Sequence, residues 1–298
     1  MAPPDAYAAP ASFAGRLRAV AALFKLRLTS LVVVSAVLGY LLGVADGAFL
    51  WVDLGLLALA GLLVTGASNA LNQVIEVNED ALMDRTAGRP LVRGWLTVRE
   101  ALWLALLAGG AGTLILWLRF GPLAGTLGFL ALFTYAALYT PLKKHTPWAV
   151  FVGAFPGAVP PMLGWVAATG EFGLGPGLLF AGQFMWQFPH FWAIAWVIDD
   201  DYRKAGFFLL PSRGGRDASS ARLILLYTLF VIPTGMLPWA FGFTGVVSMW
   251  VAVAAGLLML VPAIRLMATR DTAHARRLMF ASFLYLPAVQ VAYVLDKL

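Results

Sequence analysis

Long apolar runs alternate with short polar breaks along this chain, and the breaks carry almost all of its charge. About 20 consecutive apolar residues are enough to cross a bilayer as a helix. Nine runs reach that length, near residues 26–45, 54–75, 100–118, 122–140, 147–168, 176–198, 222–242, 245–266 and 278–296. The pattern predicts an all-α, multi-pass membrane helical bundle of about nine transmembrane helices. Only Arg119, Phe120 and Gly121 separate the third run from the fourth, which predicts a tight hairpin. The fifth run holds Pro156, Pro160 and Pro161 and should be kinked; neighbouring helices can satisfy the carbonyls that proline frees. Gly153 and Gly157 in the same run make a small-xxx-small pair, read here as plain helix packing.

Composition acts by exclusion. The 298 residues are 61% hydrophobic and 12% charged, with a mean hydropathy of +0.81. Soluble domains carry about 25% charged residues, so nothing polar enough is left to cover a soluble surface. The apolar content equally excludes a disordered chain. There is no cysteine, so disulfides and thiolate metal sites are ruled out. Residues 1–20 begin Pro/Ala-rich without a signal core and read as a disordered cytoplasmic tail, leaving residues 21–298 as one transmembrane domain.

The net charge of +6 suggests nucleic acid until its placement is examined. With nine spans, every Lys and Arg except Arg119 and Lys297 falls on one face. The positive-inside rule makes that face, and the N-terminus, cytoplasmic in a cell inner membrane. The basicity is thus an orientation signal for the lipid bilayer, and no nucleic-acid partner is expected. The two longest connections, after spans two and six, lie on this face. Long loops are usually functional, so the chemistry belongs there.

Span two does not end apolar. Asn72, Glu76 and Asp80 recur at i, i+4 and i+8, which puts three oxygen-bearing side chains within about 80° of one helix face. Acids at membrane depth are costly unless paired or metal-bound. Hard oxygens at this spacing suit Mg²⁺, which takes one or two protein carboxylates and completes its shell with water and phosphate oxygens. Arg85 and Arg89 follow directly, and the guanidinium fork suits phosphate. The set reads as a metal–diphosphate site; the alternative is a helix end emerging into water. In the next connection Lys143 and Lys144 either hold diphosphate or serve only as orientation charges.

At the end of span six stand Asp199, Asp200, Asp201, Tyr202, Arg203 and Lys204. Three adjacent carboxylates point three ways on a helix, so at most one or two can serve a metal. Deeper lies Trp186-Gln187-Phe188-Pro189-His190-Phe191-Trp192, with Gln187 and His190 on one face at i, i+3. Such a surface suits a flat apolar ring with polar handles, or His190 is a hydrogen-bonded packing residue. A cation transporter would carry acids through the membrane, whereas the acids of the opposite half (Asp46, Asp53, Glu171 and Asp296) sit near span ends.

From about residue 20 onward these segments resemble the UbiA superfamily of intramembrane prenyltransferases, and within it the protohaem IX farnesyltransferase branch. The resemblance rests on Tyr139-Thr140-Pro141-Leu142-Lys143-Lys144-His145-Thr146-Pro147-Trp148 and on Pro160-Pro161-Met162-Leu163-Gly164-Trp165. It rests further on Trp186 to Ala193 followed by Asp201-Tyr202-Arg203-Lys204-Ala205-Gly206. Asn72, Glu76 and Asp80 match the first aspartate motif, with Glu76 in place of its middle Asp. The second motif, Asp-xxx-Asp, is not cleanly present, and only Asp201 carries over. The resemblance implies transfer of the farnesyl group of farnesyl diphosphate to a vinyl group of haem b, giving haem O. It also implies a downstream haem A synthase as a partner. Mg²⁺ would be held by Asn72, Glu76, Asp80 and Asp201. Substrate would be bound by Arg85, Arg89, Tyr139, Lys143, Lys144, Gln187, His190, Tyr202 and Lys204. A prenyltransferase of the same type acting on an aromatic quinone precursor is the second reading.

Overall fold

A computed structural model describes residues 12–45 and 47–298. Among them the regular structure is helical, apart from one isolated bridge between Thr244 and Lys297. The chain opens with α1 (Phe13–Leu23), whose N-terminal N–H of Gly15 is donated to Ser12 Oγ at 3.1 Å. Residues 13–20 are therefore helical and not part of a disordered tail. Ala19 and Leu23 bury against Ala70, Leu91 and Leu96, which supplies the apolar contact that orders them. Residues 1–11 of that expected tail lie outside the described residues.

The remaining helices follow in order. They are α2 (Leu26–Gly43), α3 (Trp51–Ile75), the short α4 (Val77–Leu82) and α5 (Val98–Phe120). Next come α6 (Pro122–Phe133), a π-helical turn over Thr134–Tyr139, α7 (Thr140–Leu142), α8 (Ala149–Thr169) and α9 (Leu174–Val197). The chain closes with α10 (Asp199–Lys204), α11 (Ala218–Gly235), α12 (Leu237–Ala240), α13 (Val246–Thr269) and α14 (Thr272–Leu295). Taking Pro122–Leu142 and Ala218–Ala240 each as one rod, eight helices are long and apolar enough to span a membrane. The ninth rod, α9, is as long, at 24 residues, but Gln183, Gln187, His190 and Pro189 lower its hydropathy. It is packed against α8, α11 and α14, so its polar groups meet protein rather than lipid. The protein is a multi-pass membrane bundle.

Backbone contact sets the centre of the bundle. A methyl group built on Gly39 would sit 2.0 Å from the carbonyl oxygen of Pro161, and one on Gly164 would sit 1.8 Å from that of Ala36. Small residues let α2 and α8 touch without side chains between them. Gly153 and Gly157 do pack closely, against the Tyr139 ring and the Gln187 amide. Polar groups in this interior close on one another. Ser35 Oγ donates to Gln290 Oε1 at 2.9 Å, Gln290 Nε2 donates to Gln183 Oε1 at 2.8 Å, and Gln183 Nε2 donates to the Gly157 carbonyl at 2.6 Å. That chain ties α2, α8, α9 and α14 together.

The two cations that break the charge asymmetry both find partners. Arg119 pairs with Asp53, whose other oxygen accepts from Tyr40 at 3.4 Å. Lys297 donates to the Val44 carbonyl at the C-terminal end of α2, where unpaired carbonyls favour a cation.

The α2–α8 contact leaves no room for a side chain. Gly164→Ala is expected to lower stability by about 1–3 kcal/mol, read as a lower unfolding midpoint in detergent. Gly88→Ala, in open space, should leave the midpoint unchanged.

Candidate functional site

The polar end of the bundle is built where α3 and α9 terminate in the same way. Glu76 breaks α3 with φ −106° and ψ 18°, and Ile198 breaks α9 with φ −111° and ψ 22°. A short helix continues each rod, α4 with Asp80 and α10 with Asp201. Hydrogen bonds run across the first break: the Glu76 N–H donates to the Asn72 carbonyl at 3.0 Å, and the Asp80 N–H to the Glu76 carbonyl at 2.8 Å. The i, i+4, i+8 register of Asn72, Glu76 and Asp80 therefore survives it, and all three are buried.

Each acid of the stripe meets a cation. Lys143 Nζ lies 2.6 Å from Glu76 Oε1, and Arg89 pairs with Asp80 Oδ2. Just outside the stripe, Lys144 Nζ is 2.6 Å from Glu79 Oε1. Asn72 Nδ2 donates to Glu76 Oε2 at 2.8 Å and to Thr140 Oγ1 at 3.3 Å. Lys143 and Thr140 reach this position through the π-helical turn. Pro141 has no N–H to give and crowds the carbonyl one turn back; the wider turn accommodates both. Lys143 Nζ also lies over the Tyr139 ring at 4.9 Å and the Phe207 ring at 5.6 Å. Burial pushes its pKa down, and Glu76 pulls it back up.

By sequence Lys25 is one of the orientation charges on the basic face. It occupies the left-handed turn between α1 and α2, with φ 46°. That turn places its ammonium in the field of Arg89, Lys143, Asp80 and Arg85. Burial and the neighbouring cations together push its pKa down to about 7. No sequence signal marks this placement, because it depends on the turn. The guanidinium of Arg85 lies 5.7 Å from the centre of the Tyr202 ring. Burial raises the Tyr202 pKa, Arg85 and Arg89 lower it, and Glu76 raises it, which places this phenol beside the same cluster.

Asp201 is engaged with the loop after the stripe. Its two oxygens accept the backbone N–H groups of Asp84 at 2.8 Å and Arg85 at 3.2 Å, with Lys204 Nζ 3.4 Å away. Burial pushes the Asp201 carboxyl up, but those hydrogen bonds outweigh it and hold it below the usual range. Lys204 pairs chiefly with Asp84, at 2.5 Å. Asp199 pairs with Arg203 at 2.8 Å and Asp200 with Arg216 at 2.9 Å. Gln187 and His190 do not share a hydrogen-bond partner. Gln187 Nε2 donates to the Ala154 carbonyl on α8 at 2.9 Å, whereas His190 Nδ1 lies 2.8 Å from Ser282 Oγ on α14.

Among the described residues, no three His, Asp or Glu side chains converge into a ready-made metal cage. Mg²⁺ does not need one, since substrate phosphate and water fill most of its shell. The donor set fits such an ion in one specific respect: Asp80 Oδ1 is buried with no hydrogen-bond partner. Such an atom is costly to leave unmatched. Asn72, Glu76 and Asp80 supply one amide and two carboxylates in register around it.

The UbiA prenyltransferase family model matches residues 32–286. The chain is 48% identical over 285 residues to the protoheme IX farnesyltransferase of Cytophaga hutchinsonii, covering 96% of this chain and 99% of that protein. It is 49% identical over 278 residues to the protoheme IX farnesyltransferase of Christiangramia forsetii, covering 92% and 91% respectively. Among solved structures it superposes on a digeranylgeranylglyceryl phosphate synthase with a TM-score of 0.77 at 15% identity, covering 94% of this chain and 98% of that one. It also superposes on an Archaeoglobus fulgidus UbiA homologue bound to DMAPP and Mg²⁺, with a TM-score of 0.69 at 14% identity, covering 92% and 98%. In fold and along nearly its whole length, this chain belongs to the UbiA prenyltransferase family.

Proposed function

We propose that the protein transfers the farnesyl group of farnesyl diphosphate to a vinyl group of haem b, releasing diphosphate and forming haem O. The observation that carries this reading is the buried, unpartnered Asp80 oxygen beside Glu76 and Asn72, ringed by Lys25, Arg85, Arg89 and Lys143. The near-full-length identity to protoheme IX farnesyltransferases supports haem as the acceptor over a quinone precursor. The charge asymmetry supports a cytoplasmic mouth in the inner membrane.

Asn72, Glu76 and Asp80 would hold Mg²⁺, which when bound draws charge off the diphosphate as a Lewis acid. Lys143 and Arg89 leave their carboxylates for the incoming phosphate oxygens, joined by Arg85 and Lys25. Together they stabilise the charge that grows on the diphosphate as the farnesyl C1–O bond breaks. The Tyr139 ring already lies against an ammonium, and an aromatic face attracts an allylic cation for the same electrostatic reason. The apolar bundle houses the prenyl tail and keeps water from the cation until it has reacted. The vinyl carbon attacks C1, forming the new C–C bond. Water then adds to the inner carbon of the former vinyl group and loses a proton. Haem O, still carrying its methyl groups, is material for an oxidative step, which makes a haem A synthase the expected consumer. Asp201 acts at one remove, by clamping the backbone of the loop that carries Arg85.

Purified protein given haem b, farnesyl diphosphate and Mg²⁺ should yield haem O, identified by mass. Folded protein that prenylates a hydroxybenzoate-type ring and not haem would replace this reading with the quinone one. Asp80→Asn should lower kcat/KM by roughly 100-fold and shift the Mg²⁺ titration to higher concentration, with membrane insertion unchanged. A hydrogen bond to a charged group is worth about 1.5–3 kcal/mol, so Lys25→Met should raise KM for farnesyl diphosphate about tenfold. Asp201→Ala should raise the same KM and speed hydrogen exchange across residues 84–89, leaving Mg²⁺ affinity unchanged. A fall in Mg²⁺ affinity instead would make Asp201 a metal ligand.

A further inference from the structure

Nothing in the transfer step above employs His190. It lies seven residues before the end of α9, about 10 Å of helical rise below the polar mouth. Of the three histidines, His145 is in the α7–α8 connection and His274 in the first turn of α14, so only His190 lies deep in a span. Its imidazole stacks on Trp186, with centroids 4.4 Å apart and planes at 18°. The Phe283 ring meets it edge-on at 5.0 Å.

Ser282 decides which nitrogen of the ring bears the proton. Its hydroxyl has one hydrogen, which it donates to the Met279 carbonyl at 2.7 Å. Toward His190 Nδ1, at 2.8 Å, the Ser282 oxygen can then only accept. With the Ser282 hydrogen on the Met279 carbonyl, the imidazole proton is assigned to Nδ1 and Nε2 keeps a bare lone pair. Nε2 makes no hydrogen bond among the described residues, although the side chain is buried. Trp186 fixes the plane of the ring, because its Nε1 donates to the Ser282 carbonyl at 3.0 Å. The residue that sets the tautomer thus also anchors the ring stacked on the imidazole. A packing histidine needs none of this. A metal-ligating histidine has one nitrogen donating to a fixed oxygen and the other free for the metal.

We propose that His190 Nε2 ligates the iron of the haem substrate, and that Ser282 is a positioning residue that holds the imidazole in the ligating tautomer. The proposal rests on the reading of haem as acceptor. It accounts for one histidine inside an aromatic wall. It also separates two duties along α9, iron capture in the interior and diphosphate chemistry at the mouth.

The test uses the full chain in lipid nanodiscs, titrated with ferrous haem b and, in parallel, with iron-free protoporphyrin IX. Wild type should show a histidine–iron stretching band by resonance Raman. His190→Gln should lose that band and bind haem b about tenfold or more weakly, with protoporphyrin affinity unchanged; added imidazole should restore the band. Ser282→Ala should weaken haem b binding in the same direction, and Ser282→Thr, which keeps the hydroxyl, should restore it. Equal losses for both porphyrins in His190→Gln would reduce His190 to packing. Wild type that makes haem O without a histidine–iron band would overturn the ligation and leave the transfer reading intact. A histidine-ligated haem that is never farnesylated would do the reverse.

Discussion

Acids at the end of an apolar bundle must be neutralised, and the polar face of this protein is organised by that demand. Glu76 and Asp80 are buried, and an unpaired carboxylate there costs several kcal/mol. Lys143 and Arg89 meet them, one from the far end of the α6–α7 rod and one from the loop after α4. Buried ion pairs of this kind lie near energetic balance, because desolvation offsets most of the attraction. Partners held so can be exchanged at low cost. A ligand that brings its own negative charge and a divalent cation can take over both halves of each pair. On the proposed function, stability and substrate binding use the same side chains.

The surrounding architecture keeps those side chains in place. The matched breaks at Glu76 and Ile198 turn two long helices into short helical extensions. Asp201, on one extension, binds the backbone of Asp84 and Arg85 after the other. That contact joins residues 117 apart in sequence and holds the cationic loop down over the mouth. Deeper in the bundle, polar residues bond to one another or to backbone carbonyls, as the Ser35–Gln183–Gln290 group does. In a hydrocarbon setting that closure is what makes glutamine tolerable at mid-span.

Much of the fold was legible before any contact was known. Span length is a count of apolar residues, and the Asn72, Glu76 and Asp80 stripe follows from the helical period. Both are local properties of the chain. Only α9 weakens the count, since Gln183, Gln187 and His190 face other helices rather than lipid. The N-terminal segment is helical from residue 13 onward because Ala19 and Leu23 find apolar partners that only the folded bundle supplies. Gln187 and His190 share a face by periodicity, yet one turns to α8 and the other to α14. A 60° difference in bearing is enough when two helices flank the face.

The sequence by itself determined that the chain is a multi-pass helical bundle and which acids need an answering cation. Hydropathy and helical period are written residue by residue, so they need no partner to be read. Only the tertiary structure decided which cation answers which acid, and that Lys25 joins them through a left-handed turn. It also decided that Asp201 grips a loop and that Ser282 meets His190 across two helices. Each of these pairs residues from separate helices or loops. Their distances are fixed by how the glycine-lined faces of the rods pack, which no window along the chain contains.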